Sequence, residues 1–204
     1  MNRPPHICEK HWHELVAGSN ISPSLATLNA QSIQGDEVYE VLLYAKSQQE
    51  IRRNDGRLRD YWLNKYRNLA EVGALHLNGL DPQKNWEESM EWGRLKPVSP
   101  RLDQEGKPQK YESPLRPATN RVSYFRVDVE TWELVSLRYN IPMPENIITT
   151  PTGEAFGFWA WIVNHPEIPV ILCEGEKKAL CLLSLGFVAI ALPGIWGVAS
   201  DKYF

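Results

Sequence analysis

Cysteine is scarce in this chain, with three in 204 residues at Cys8, Cys173 and Cys181. So sparse and odd a set does not build the disulfide framework of a small secreted scaffold, and it fits a reducing compartment. Long apolar runs are missing as well. No stretch approaches the ~20 residues that span a bilayer, and the opening MNRPPHICEKHWHEL has no apolar core of a secretory signal. These absences together imply a cytoplasmic protein with no membrane partner. Positive charge is not in excess either: 22 Lys and Arg face 25 Asp and Glu, for a net charge of −3. Any surface for nucleic acid must therefore be local. There is no internal repeat and no low-complexity tract. What is present, 43% hydrophobic and 23% charged residues, is the composition of a globular protein. The length allows one large domain, or one ordinary domain plus a fragment.

The most informative stretch is VILCEGEKKAL, residues 170–180. Val170, Ile171, Leu172 and Cys173 form an unbroken apolar run of the kind expected for a strand covered on both faces. Gly175 permits a turn. Residues 176–185 are then good helix formers, with Ala179, Leu180, Leu182 and Leu183 on one stripe. Gly186 suits a left-handed C-terminal cap, and FVAIAL (187–192) reads as a second apolar strand ended by Pro193 and Gly194. The spacing predicts a βαβ unit with parallel strands. Glu174 then falls at the carboxyl end of a strand, where open α/β sheets gather ligands. Two other roles compete for these residues. Glu174 could simply favour the helix N-terminus, while Lys177 and Lys178 could meet a phosphate or line a solvated helix face. A Walker loop is excluded, because GEKKAL lacks the Gly-Lys-Ser/Thr ending.

A second feature lies between residues 52 and 67. Arg52, Arg53, Arg57, Arg59, Lys65 and Arg67 surround Tyr61, Trp62 and Tyr66, with Asp55, Asp60 and Glu71 opposing them. Cations neutralise phosphates and rings stack on exposed bases, which makes this the best local candidate for nucleic-acid contact. The same residues also fit an ordinary amphipathic helix over 58–70.

Elsewhere the readings are structural. His6, Cys8, His11 and His13 are zinc-ligand types, but four ligands so close together would strain a tetrahedral site. A short helix beginning near His11 and ending before Gly18 explains them better. Residues 37–45 (EVYEVLLYA) read as a strand. From Asp81 to Pro117 prolines break any long element, and Trp86 and Trp92 pin an irregular stretch to the core. Residues 122–129 and 132–138 read as a hairpin, and residues 154–164 as an aromatic-rich helix.

The EG dipeptide at a strand end, followed by a helix and a second strand, resembles the first half of the Toprim domain of bacterial-type primases and topoisomerases. Further blocks resemble, in order, the domain of unknown function of cyanobacterial plasmid replication proteins of the CyRepA type. They are HWHELVAGSNISP, RNDGRLRDYWLNKY, GLDPQKNW, EWGRLKP, KYESP and CEGEKKALCLLSLGFVAIALPGIWG. The resemblance implies an α+β, primase-like region over 1–165, followed by an incomplete Toprim-like α/β domain over 166–204. It implies that Glu174 is a metal acid for Mg²⁺ or Mn²⁺, and that Lys110 and the basic stretch meet phosphate. The implied partners are DNA, nucleoside triphosphates and a helicase. It also implies a departure, since the Asp-x-Asp pair expected after Gly197 does not appear and Asp201 stands alone. The expected function is therefore plasmid DNA replication by primase-like nucleotidyl transfer in complete relatives. For this chain the alternatives are a non-catalytic DNA-binding or partner-binding module, or an inactive remnant.

Overall fold

A computed structural model describes residues 2–103, 105–115 and 121–193. In chain order the elements are α1 (Glu9–Ser19), α2 (Pro23–Asn29), β1 (Ala30–Ile33), α3 (Asp36–Leu43), α4 (Gln48–Ile51), α5 (Asp60–Val72), β2 (Ala74–Leu80) and a 3₁₀ turn (Pro82–Lys84). They continue with β3 (Ser89–Pro97), α6 (Val129–Tyr139), α7 (Phe158–Val163), β4 (Ile171–Cys173), α8 (Glu176–Ser184) and β5 (Ala189–Ala191). The architecture is mixed α+β with small sheets, one ordered β1-β2-β3 and one pairing β4 with β5.

Contacts divide the chain into two compact units, one of residues 1–30, 78–90 and 122–204 and the other of residues 31–77 and 91–121. Residues 166–193 lie in the same unit as α1 and α2.

In the first unit, β4 and β5 pair in parallel with Ile171 opposite Ala189 and Cys173 opposite Ala191, so the expected βαβ unit is present. Helix α8 buries Ala179, Leu180 and Leu183, and α1 and α2 pack against it. Lys177 reaches Glu14 at 2.7 Å, and the Ser22 amide donates to the Ser184 hydroxyl at 2.8 Å. Gly186 has φ +76°, and Arg138 donates to its carbonyl oxygen at 2.9 Å. Ser123 extends the small sheet through two backbone hydrogen bonds with Ala191, of 2.9 and 3.1 Å. The expectation of a strand covered on both faces is corrected at Leu172, which is 63% exposed. Its side chain points to the face opposite Cys173, as strand alternation requires.

The predicted hairpin over 122–138 is also corrected. Residues 132–138 belong to helix α6, started by the Asp128 carboxylate, which accepts from the Thr131 amide at 2.7 Å. Asn140 ends this helix in the left-handed conformation at φ +54°. The aromatic helix is shorter than expected, because Gly157 at φ +92° starts it. Its Phe158 meets Trp132 and Trp159 edge-to-face, and Trp161 packs against Trp132 in a tilted contact. Gly79 in β2 lies so close to Tyr124 that a Cβ would come within 2.7 Å of the Tyr124 nitrogen.

In the second unit, residues 37–45 are helical for the most part, not a strand. Val38, Tyr39, Leu42 and Leu43 repeat at i, i+1, i+4 and i+5 and are buried. Asp36 and Glu37 stand at the positive end of the helix dipole. Helix α5 packs against α3 and buries Tyr66, Leu69 and Ala70, and Tyr39 donates to the Leu63 carbonyl oxygen at 3.2 Å. The stretch expected to be irregular contains a nine-residue strand, β3, in which Trp92 is 2% exposed. Glu112 pairs its backbone with Leu95 at 2.8 and 2.9 Å. Its carboxylate is buried and takes a bidentate pair from Arg101, at 2.5 and 3.1 Å.

Candidate functional site

The basic stretch folds into a local device. Arg52 and Leu58 form an antiparallel bridge, the Arg53 amide donates to the Arg57 carbonyl oxygen at 2.8 Å, and Gly56 turns the chain at φ +83°. Arg59 then caps helix α5. This small hairpin brings Arg52, Arg53, Arg57 and Arg59 together beside the first turns of α5, where Tyr61 and Lys65 sit. Their roles differ. Arg52 is held by the Gln48 side-chain oxygen and the Gly56 carbonyl oxygen, both at 2.8 Å. Arg53 forms an ion pair with Asp60. Arg59 donates to the Gln49 carbonyl oxygen at 2.9 Å, and Arg67 donates to Asn64 at 2.6 Å. Arg57 is the freest, with an 85% exposed side chain and a single acid, Asp55, 4.0 Å away.

The rings also separate. Tyr66 is buried, and that burial pushes its hydroxyl pKa well up, with the nearby Glu112 carboxylate adding to the rise. Trp62 is half-buried and donates its indole N–H to the Glu50 carbonyl oxygen at 3.2 Å. Tyr61 is 63% exposed and is the ring of this set offered to solvent. The Lys65 ammonium lies 5.9 Å from the Tyr61 ring centre and 5.6 Å from that of Trp62, which fixes its charge over the aromatic surface. Lys110 is exposed in the same unit. Its neighbour Glu112 is bound to Arg101, so at least one residue of KYESP has a structural role.

A cleft of about 720 Å³ opens between α3, α4 and the hairpin. Nothing in the basic pattern signals it, because Asp36, Tyr39, Glu40 and Leu43 of its wall come from the helix at residues 36–43, which reads locally as a strand.

In the other unit Glu174 stands at the carboxyl end of β4, where the sequence puts it, and is exposed. Its carboxylate is in contact with the Lys178 ammonium one turn along. That hydrogen bond holds the Glu174 carboxyl below the usual carboxylate range and raises the Lys178 pKa. Lys177 does not share the corner, since it is turned to Glu14. The buried acid of CEGE is Glu176, 1% exposed, a residue that strand-end reasoning passes over. Among the described residues no three His, Cys, Asp or Glu side chains gather as metal ligands, and that includes the histidines of the first helix. One exposed carboxylate already paired with an ammonium does not fit Mg²⁺ or Mn²⁺, which need several oxygen ligands. Asp201 and the segment from Gly194 onward lie outside the described residues. No helix of the described residues is long and apolar enough to cross a membrane.

Residues 158–203 match a domain of unknown function, DUF3854. The chain is 43% identical over 196 residues to an uncharacterized protein of Picosynechococcus sp. (strain ATCC 27264 / PCC 7002 / PR-6), an alignment that covers 96% of this chain and 18% of that protein. The chain thus spans less than a fifth of the length of the relative it matches. No solved structure matches.

Proposed function

We propose that this chain is a nucleic-acid-binding module that contacts single strands through the hairpin of residues 52–59 and the start of α5, and that it serves replication in a longer protein. The observation that carries this reading is an exposed cation, Arg57, on the hairpin that leads into α5, whose first turns carry the solvent-facing Tyr61 with the Lys65 ammonium 5.9 Å from its ring centre. Phosphate neutralisation and base stacking are the two contacts that single-strand binding needs. The replication setting comes from the resemblance to CyRepA-type plasmid proteins. A net charge of −3 makes the site local, so its affinity depends on few phosphates. With contacts to Arg52, Arg57, Arg59 and Lys65, a slope of about −0.7 per phosphate predicts a loss of about 50-fold between ~50 and ~200 mM salt.

The test is anisotropy of a labelled single-stranded oligonucleotide titrated with the chain. Binding with that salt dependence, abolished in Arg57→Ala/Arg59→Ala/Lys65→Ala, supports the reading. Absence of binding at low salt overturns it.

Primase-like nucleotidyl transfer is the second reading, favoured by Glu174 at the end of a parallel strand. It requires carboxylates beyond those of the described residues. Glu174→Ala separates the two, because it leaves oligonucleotide affinity unchanged under the binding reading. Under the transfer reading it removes metal-dependent nucleotide incorporation from an extended chain.

A further inference from the structure

The cleft beside the hairpin has a chemistry of its own. Its volume of about 720 Å³ lies within the ~300–1,000 Å³ of small-molecule sites. The floor is apolar and aromatic, with Tyr39, Leu43 and Ile51 buried. One wall is the hairpin itself, so Arg52 and Arg57 belong both to the basic cluster and to the cleft. Asp36 and Glu40, one helical turn apart on α3, also line it, both exposed and neither in a salt bridge among the described residues. The cleft therefore combines cations from the hairpin, acceptors from α3 and apolar and aromatic side chains suited to a flat ring.

We propose that this cleft receives one unstacked base of a bound single strand and prefers bases with an exocyclic amine, a reading that rests on the nucleic-acid function above. Carboxylates only accept hydrogen bonds. The amines of cytosine, adenine and guanine give Asp36 and Glu40 paired N–H donors, whereas thymine and uracil offer a single ring N3–H flanked by two carbonyl oxygens that a carboxylate repels. The two acids also keep phosphate off their side of the cleft, which orients the nucleotide with its phosphate toward Arg52 and Arg57. Arg52 is already fixed by Gln48 and Gly56 and keeps N–H donors for a phosphate oxygen. A Cβ at Gly56 would meet nothing within 4 Å, so the strand has room to pass over the turn.

The experiment compares labelled dC and dT homo-oligomers of equal length, binding to the intact chain and to Asp36→Asn/Glu40→Gln. The readout is the dC-to-dT affinity ratio, in which the general gain from removing two negative charges cancels. The wild-type ratio is expected to be roughly fivefold or more, from the lower end of what one well-formed base contact supplies. In the variant it falls to about one. Equal affinities in the wild type, or a preference that survives the double substitution, overturns the base pocket and leaves strand binding in place. Displacement of the dC strand by free CMP at a matching affinity would assign the cleft to mononucleotides and overturn the strand-base proposal. Failure of every oligonucleotide to bind at low salt overturns both readings.

Discussion

Replacing Arg101 with Met should destabilise the chain far more than its exposed position suggests. The Arg101 side chain is 43% accessible, but the carboxylate it holds, on Glu112, is only 5% accessible. The pair is bidentate, at 2.5 and 3.1 Å, and Glu112 is anchored by its backbone to Leu95. It cannot turn to water without breaking that bridge. Removing one partner of a fully buried pair costs ~3–5 kcal/mol; here water reaches the vacated guanidinium space, which lowers the figure to about 2–3 kcal/mol. Glu112→Gln is milder. The amide oxygen still accepts from Arg101, whose exposed guanidinium hydrates readily, so the loss is about 1 kcal/mol. In the Glu112→Gln background no buried charge remains, and adding Arg101→Met should cost less than ~1 kcal/mol, a coupling of at least about 1 kcal/mol. Urea unfolding of the four proteins, followed by far-UV circular dichroism, measures each term. Equal single effects that simply add would refute the argument.

Backbone crowding and a partly buried acid give two further predictions. Gly79→Ala places a methyl 2.7 Å from the Tyr124 nitrogen and 2.8 Å from its carbonyl oxygen; both are backbone atoms with no room to yield, so a loss of about 3 kcal/mol is expected in the same unfolding assay. Gly18→Ala, in α1 with only the His13 carbonyl oxygen at 3.7 Å, should stabilise by ~0.5–1 kcal/mol, and a loss there would show that the contrast is not steric. Burial raises the Glu154 carboxyl pKa, partly offset by Arg126 at 3.7 Å. A raised acid holds its proton longer when folded than when unfolded, so its contribution is complete below the unfolded pKa and declines as pH rises through the folded one. Glu154→Gln should remove that decline, and an identical slope of stability against pH in wild type and variant would count against it.

Much of the candidate site is legible in the sequence because it is local. The arginines of residues 52–59 are close neighbours in the chain, and Asn54, Asp55 and Gly56 bend them into one hairpin. Tyr61, Trp62 and Tyr66 look alike in sequence, and only packing decides that Tyr61 faces solvent while Tyr66 is buried. The cleft is illegible for the same reason, since Asp36 and Glu40 meet Arg52 and Arg57 only after α3 has folded back.

The sequence by itself determined the βαβ unit of β4, α8 and β5, the amphipathic α5 and the place of Glu174 at a strand end. Each depends on a run of apolar residues with its own length and punctuation. Tertiary structure alone decided that residues 37–45 are largely helical, that Trp132 lies on a helix, and that β3 joins a sheet through a proline-rich region. Short apolar runs satisfy both the helical and the extended period, and what separates them is which neighbours bury them. It also decided that Glu176 is the buried acid, whereas the Glu174–Lys178 pair is a local contact one helical turn apart.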